Sequence, residues 1–314
     1  MSQPCAGPEE KLPPFKMGWC DEVLGLSDAS GSEAEAEMEA RLAALPVADL
    51  VRPWREVSTA GLKDQTAGTH AFLMYFDSLP HDAPQRAVAF IEAELAGEPD
   101  DEIVALLAEG KLLGQLLHFH APRVAPALQE LALRQPRLRW LMGGAAASIT
   151  GGMVENPQAQ RRLLAIANEP AYRKWQEAHR SDAEPIDFAA LPLGELAAAW
   201  VEITGRSDRD KERDGNSTAL YDFQSDLIGN DPLAALELVK AILAIEDNPN
   251  VLGLLAAGML EDLLPDEDGP VIDAVVAEAG RNPAFRTLLG GVWFYGMSPQ
   301  VTERLEKARG EVRW

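Results

Sequence analysis

Glu261 and Asp262 stand side by side in Gly258-Met259-Leu260-Glu261-Asp262-Leu263-Leu264, an otherwise apolar run. Paired carboxylates can act as acid and base, or can hold a basic ligand. A charge set among apolar residues also needs a partner, because burying it alone is costly. Arg286, in Phe285-Arg286-Thr287-Leu288-Leu289, is a candidate partner, and Trp293 lies close behind it. The favoured reading is a buried carboxylate–guanidinium pair that fixes helix order. The alternative reading is a binding or catalytic acid.

Other arrangements fall short of a reaction. In His118-Phe119-His120, residues two apart point about 200° apart on a helix, so both cannot face one ion. Pro265-Asp266-Glu267-Asp268-Gly269 resembles a calcium loop only superficially, since the EF-hand glycine would put Leu264 where a carboxylate belongs. Gly143-Gly144 and Gly151-Gly152 have neither a preceding strand nor a Gly-Lys-Ser/Thr ending, so they read as close helix contacts or caps. There is no Gly-x-Ser-x-Gly and no Ser-x-x-Lys. Cys5 and Cys20 match no zinc spacing and are too few for a disulfide framework. No metal and no cofactor is implied.

The 314 residues hold 28 basic and 50 acidic side chains, a net charge of −22. That excludes a nonspecific nucleic-acid binder, which needs a basic surface. The charge is uneven: Met1 to Glu102 carries −13, Ile103 to Arg180 +5, and Ser181 to Trp314 −14. No Lys or Arg falls between Lys240 and Arg281, while Glu246, Asp247, Asp266, Glu267, Asp268, Asp273 and Glu278 do. These acids read either as solvated helix faces or as a docking face for a basic partner. The start is polar and proline-rich, with no signal peptide, and no apolar run is long enough to span a bilayer. A soluble cytoplasmic protein is expected.

The elements that would carry these residues are helices. Ala, Leu and Glu dominate, and aromatics make up only 6%, which favours helix over sheet. Asp231-Pro232, Asn248-Pro249, Asn282-Pro283 and Ser298-Pro299 each read as a cap followed by the first helical residue. Pro46 and Pro192 suit a first turn. Gly205 to Thr218 reads as a solvated charged loop. Residues 1 to about 32 read as a flexible tail with an apolar island at Phe15 to Trp19, and Glu33 to Leu45 could extend as a charged helix.

The chain also resembles itself. Leu45-Pro46-Val47-Ala48-Asp49-Leu50 with Trp54 and Glu56 returns as Leu191-Pro192-Leu193-Gly194-Glu195-Leu196 with Trp200 and Glu202. Pro84 matches Pro232, Pro122 matches Pro270, and Leu141-Met142-Gly143-Gly144 matches Leu288-Leu289-Gly290-Gly291. An offset close to 147 residues over this distance predicts a tandem duplication. The expected organisation is an acidic N-terminal tail (1–40), a diverged first copy (41–180) and a second copy (187–314). The expected fold is all-α, an α-α bundle or short HEAT-like array with the copies stacked or facing.

The Gly258 to Leu264 run, followed by Asn282-Pro283-x-Phe285-Arg286-x-Leu288-Leu289-Gly290-Gly291-Val292-Trp293, resembles an uncharacterised bacterial domain family of unknown function. Met259 replaces that family's usual Pro. The first copy has Leu113-Gly114 in place of the acids and Ala146 in place of Trp293. The resemblance implies that the first copy serves as scaffold and offers no activity to carry over. Together these features favour a non-enzymatic protein that binds a protein partner with a basic surface, in a toxin-neutralising, regulatory or accessory role. The alternatives are an enzyme or accessory subunit using Glu261, Asp262 and Arg286, and an acidic nucleic-acid mimic. Neither direct nucleic-acid binding nor a membrane is expected.

Overall fold

The computed structural model describes residues 39–97, 100–109, 111–179, 183–213, 215–264, 269–294 and 296–312. The fold is all-α, with no β-strand among the described residues. After a helical turn at 39–44, the first half runs α1 Val47–Thr59, a 3₁₀ turn Leu62–Asp64, α2 Ala67–Asp82, α3 Pro84–Ala96, α4 Asp101–Glu109, α5 Lys111–Arg134, α6 Pro136–Gly144, α7 Pro157–Leu164 and α8 Glu169–His179. The second half runs α9 Leu193–Gly205, α10 Asp208–Arg213, α11 Asn216–Asn230, α12 Pro232–Ile245, α13 Pro249–Leu254, α14 Pro270–Arg281, α15 Pro283–Gly290 and α16 Pro299–Arg309. A wide π-type stretch Leu255–Leu260 and a last turn Glu261–Leu263 continue α13.

Local chemistry sets the helix starts. The side chains of Asp231, Asn248, Asn282 and Ser298 each accept a hydrogen bond from a first-turn N–H, and a proline follows each of them. Such a cap is worth about 1 kcal/mol. Pro46 and Pro192 differ from expectation: each is the extended residue before its helix, with ψ of 140° and 148°. The Gly205 to Thr218 segment also departs from the loop reading, because α10 forms within it. Ser207 Oγ accepts the Asp210 N–H at 3.2 Å and donates to Asp210 Oδ2 at 2.7 Å. Ser207 is thus the N-cap of α10, and Asp210 holds its hydroxyl in place. The tail, its Phe15 to Trp19 island and residues 33–38 lie outside the described residues.

Burial divides into two hydrophobic clusters. One gathers residues from Leu42 to Leu163, including Trp54, Phe72, Phe76 and Phe90. The other gathers residues from Phe188 to Leu305, including Trp200, Leu255, Leu260 and Phe285. Each fully buried Leu, Ile or Phe contributes about 1.5–3 kcal/mol. Several helix pairings recur in the two halves. Helix α1 packs on α3, α2 on α3, and α5 on α3, α6 and α7. In the second half α9 packs on α12, α11 on α12, and α14 on α12, α15 and α16. The halves also differ: α2 packs on α5, whereas α11 and α14 make no comparable contact among the described residues. Helix α5 runs unbroken through Pro122 and Pro126, whereas Pro270 opens α14. Helix α8 has no described counterpart. It crosses α6 closely enough that a Cβ at Gly143 would lie 2.5 Å from the Asn168 carbonyl oxygen, and one at Gly144 would lie 2.7 Å from the Tyr172 ring.

Candidate functional site

The α13 run buries one side and exposes the other. Val251, Leu255, Met259, Leu260 and Leu263 are buried, so the apolar stretch packs through these side chains. Glu261 is half-buried and Asp262 is exposed. Expectation placed both acids inside; instead the helix turns them toward the surface. Leu254, on the same run, is 45% exposed.

Glu261 has a specific partner. Its Oε2 accepts the backbone N–H of Trp293 at 3.1 Å. The segment after α15 is therefore held from both sides. Val292 is buried, its carbonyl accepts from Arg309 Nη1 at 3.4 Å, and the Arg309 guanidinium lies 4.3 Å from the centre of the Phe294 ring. The Trp293 side chain between these anchors is 76% exposed. A large aromatic on a fixed backbone, beside a carboxylate, is an arrangement typical of binding surfaces.

Arg286 does not join this group. Its Nε donates to the Ala279 carbonyl at 3.0 Å and its Nη2 to the Gly280 carbonyl at 3.4 Å. It closes the C-terminus of α14, where a cation is favoured by the helix dipole. The expected pairing of Arg286 with Glu261 or Asp262 is thus corrected. Arg286 instead lines a shallow cleft of about 560 Å³ with Val276, Gly280, Arg304, Lys307, Ala308 and Gly310. Gly280 near the end of α14 and Gly310 just after α16 both border this cleft, so its cations lie near two helix C-termini.

The acidic residues read as a docking face differ in their surroundings. Glu246 is buried and engaged: its Oε1 accepts the N–H groups of Asp247 at 3.0 Å and Asn248 at 2.9 Å, and Lys63 Nζ lies 2.6 Å from Oε2. Burial pushes its carboxyl up, but the bonds from Lys63, Asn248 and Asp247 outweigh this and hold it below the usual range. Glu278 is buried too, accepting from Arg281 Nε at 2.8 Å and Asn282 Nδ2 at 2.9 Å. Its carboxyl is likewise held low: burial raises it, and the bonds from Asn282 and Arg281 more than compensate. Asp273 pairs with Arg304 at 2.6 Å, and Asp247 is exposed. Asp266, Glu267 and Asp268 lie outside the described residues. Glu246 and Glu278 therefore hold the fold together, while Asp247 and Asp273 remain on the surface.

Leu113 and Ala146, the residues that the sequence offset sets against Glu261 and Trp293, are both buried. The first half also contains an ion pair that the spacing did not reveal. Glu94, fully buried, accepts from Arg55 Nε at 2.8 Å and 3.0 Å, and Arg55 Nη2 reaches the Glu94 carbonyl at 3.3 Å. Burial raises the Glu94 carboxyl above its usual range, and the bond and charge of Arg55 offset only part of that. Its one sequence signal is a glutamate inside the apolar run of α3. The His118 and His120 rings diverge, one to the Met153 carbonyl at 3.3 Å and the other to the His81 carbonyl at 3.0 Å. Among the described residues no group of three His, Cys, Asp or Glu could hold a metal ion. None of the described helices is long and apolar enough to cross a membrane.

Comparison with curated proteins and with solved structures returns no match. The C-terminal part of the chain, residues 208–312, which holds Glu261, Arg286 and Trp293, matches the model of a family described as a family of unknown function (DUF6869).

Proposed function

We propose that this is a non-enzymatic, cytoplasmic helical-repeat protein that binds a protein partner through the surface around Trp293. The observation that carries this reading is the exposed indole, placed by the bond from its own backbone to Glu261. Exposed Leu254 adds apolar area on the Glu261 run. A rigid aromatic anchor with an acidic neighbour suits a partner with an apolar pocket rimmed by basic groups. We read the chain as two copies of one helical unit, 41–180 and 187–314, the first retained as scaffold. Its buried Leu113 and Ala146 support that division of labour.

The enzyme reading has less support, because Arg286 is tied to the end of α14, away from Glu261. The nucleic-acid-mimic reading needs a continuous face of carboxylates, and burial of Glu246 and Glu278 works against it. The test is capture of partners from the native host on immobilised protein across a salt series, with Trp293→Ala and Tyr221→Ala run in parallel. Tyr221 is also exposed, at 65%, but lies on α11. The reading predicts a protein retained at low salt by the wild type and by Tyr221→Ala and lost with Trp293→Ala. Equal retention by all three would sink it.

A further inference from the structure

The two halves meet reciprocally. The 62–64 turn of the first half packs on α9 and α13 of the second, and α10 of the second half packs on α1 and α4 of the first. These elements correspond in sequence: the turn begins at 62 and α10 at 208, α1 at 47 and α9 at 193, α4 at 101 and α13 at 249. Each half thus offers the same segment to the same two helices of the other. A stacked, head-to-tail repeat would make such contacts in one direction only. Reciprocity is the property of an isologous pair about a twofold axis.

The polar contacts follow the same rule. Asn250 Nδ2 donates to the carbonyls of Leu62 at 3.1 Å and Gln65 at 2.8 Å, across the seam into the turn. Its sequence counterpart, Glu102, accepts from Arg213 Nη1 of α10 at 3.2 Å, across the same seam in the opposite sense. Lys63 pairs with Glu246 at 2.6 Å. Arg209 stands at the position matching Lys63. Near the centre the backbones almost touch: a Cβ on Gly61 would lie 3.0 Å from the Gly205 carbonyl oxygen.

From this we infer that the chain is a fused pseudo-dimer, and that the inner face of its C-terminal half fits a second copy of that same half. The inference rests on the two-copy reading above. Charge complementarity argues for this occupant. In a pair of C-terminal halves, Arg209 of one faces Glu246 of the other, twice, replacing the Lys63–Glu246 pair of the intact chain. In the intact chain the N-terminal half covers this face, so the surface becomes available only when the halves part.

The test uses the whole chain with a protease site inserted between Ser181 and Asp182. Two cleaved preparations, one tagged on the C-terminal half and one untagged, are mixed at micromolar concentration and the tag is captured. The expected capture brings down the N-terminal half and also untagged C-terminal half. Lys63→Glu raises the share of untagged C-terminal half, and Arg209→Glu, which sets two carboxylates face to face, lowers it about tenfold or more. Capture of N-terminal half without any untagged C-terminal half overturns the self-fit. Release of the N-terminal half after cleavage overturns the interface itself. Failure of the two-copy reading is seen separately, as halves that do not superpose in an experimental structure.

Discussion

Replacing Arg55 with methionine takes away the guanidinium hydrogen-bonded to the Glu94 carboxylate inside the first core and leaves it only the more distant charge of Arg137. The Glu94 side chain has no exposed surface, and the Arg55 guanidinium supplies both of its short contacts. Removing one partner of such a pair costs about 3–5 kcal/mol, because the remaining charge is buried without compensation. Domains are typically stable by only about 5–15 kcal/mol, so Arg55→Met takes a large part of the stability of the first half. The sign of the pH effect follows from the raised Glu94 carboxyl. A carboxyl that binds its proton more tightly when folded is tolerated below the unfolded value and loses stability as pH rises through the folded one. Removing Arg55 raises it further, so Arg55→Met is nearest to wild type at acid pH and worst at neutral pH. The assay is native-state hydrogen exchange of the α3 amides at pH 5 and pH 8, which reads the first core locally. The pair Arg55→Met/Glu94→Met restores most of the protection, since well-packed apolar groups replace a buried ion pair at little cost. A loss below about 1 kcal/mol at pH 8, or one equal at both pH values, would refute the reasoning.

Four further outcomes are expected. Gly97→Ala would put a Cβ 2.6 Å from Arg55 Nη2 and displace it from the Glu94 carbonyl, so thermal or chemical unfolding shows a loss of about 0.5–1.5 kcal/mol. Ser207→Ala removes the α10 cap and costs about 1 kcal/mol, read as faster exchange of the Asp210 amide. The carboxyl of Glu246 is held low, so the stability it gives is present above the unfolded value and lost as pH falls through the folded one. Lys63→Ala shrinks that acid-side loss in a pH series of denaturation curves. Trp293→Ala leaves thermal stability within about 0.5 kcal/mol of wild type, because the indole is mostly solvated. A drop of several degrees in its melting temperature would mean that the side chain serves the fold instead of a partner.

The helix starts were legible because their chemistry is local. Asn248-Pro249 and Asn282-Pro283 carry both the cap acceptor and the missing N–H within two residues. The second-half helices from Pro232 onward follow the sequence reading closely. Helix α10 is legible through Ser207 and Asp210, but its run of charged residues hides the N-cap. The site was half legible. Glu261 and Trp293 were singled out and do meet, but through a backbone N–H that no residue pattern encodes. Sequence proximity pairs Arg286 with the wrong group, because it cannot tell a carboxylate from the carbonyls of a neighbouring helix end. The fates of Glu246 and Glu278 depend on long-range burial, and Lys63 lies in the other half of the chain. Their abundance as acids made every one of them look solvated.

The seam between the halves has a thermodynamic consequence. The contacts named across it are amide to carbonyl, ammonium to carboxylate and guanidinium to carboxylate, with Leu62 the apolar exception. Parting the halves therefore hydrates mostly polar groups, whereas melting either core hydrates hydrocarbon. Only hydrocarbon exposure raises heat capacity. Calorimetry should accordingly register each core as a step with a large heat-capacity increment, while the opening of the seam passes nearly silent, visible in salt dependence alone.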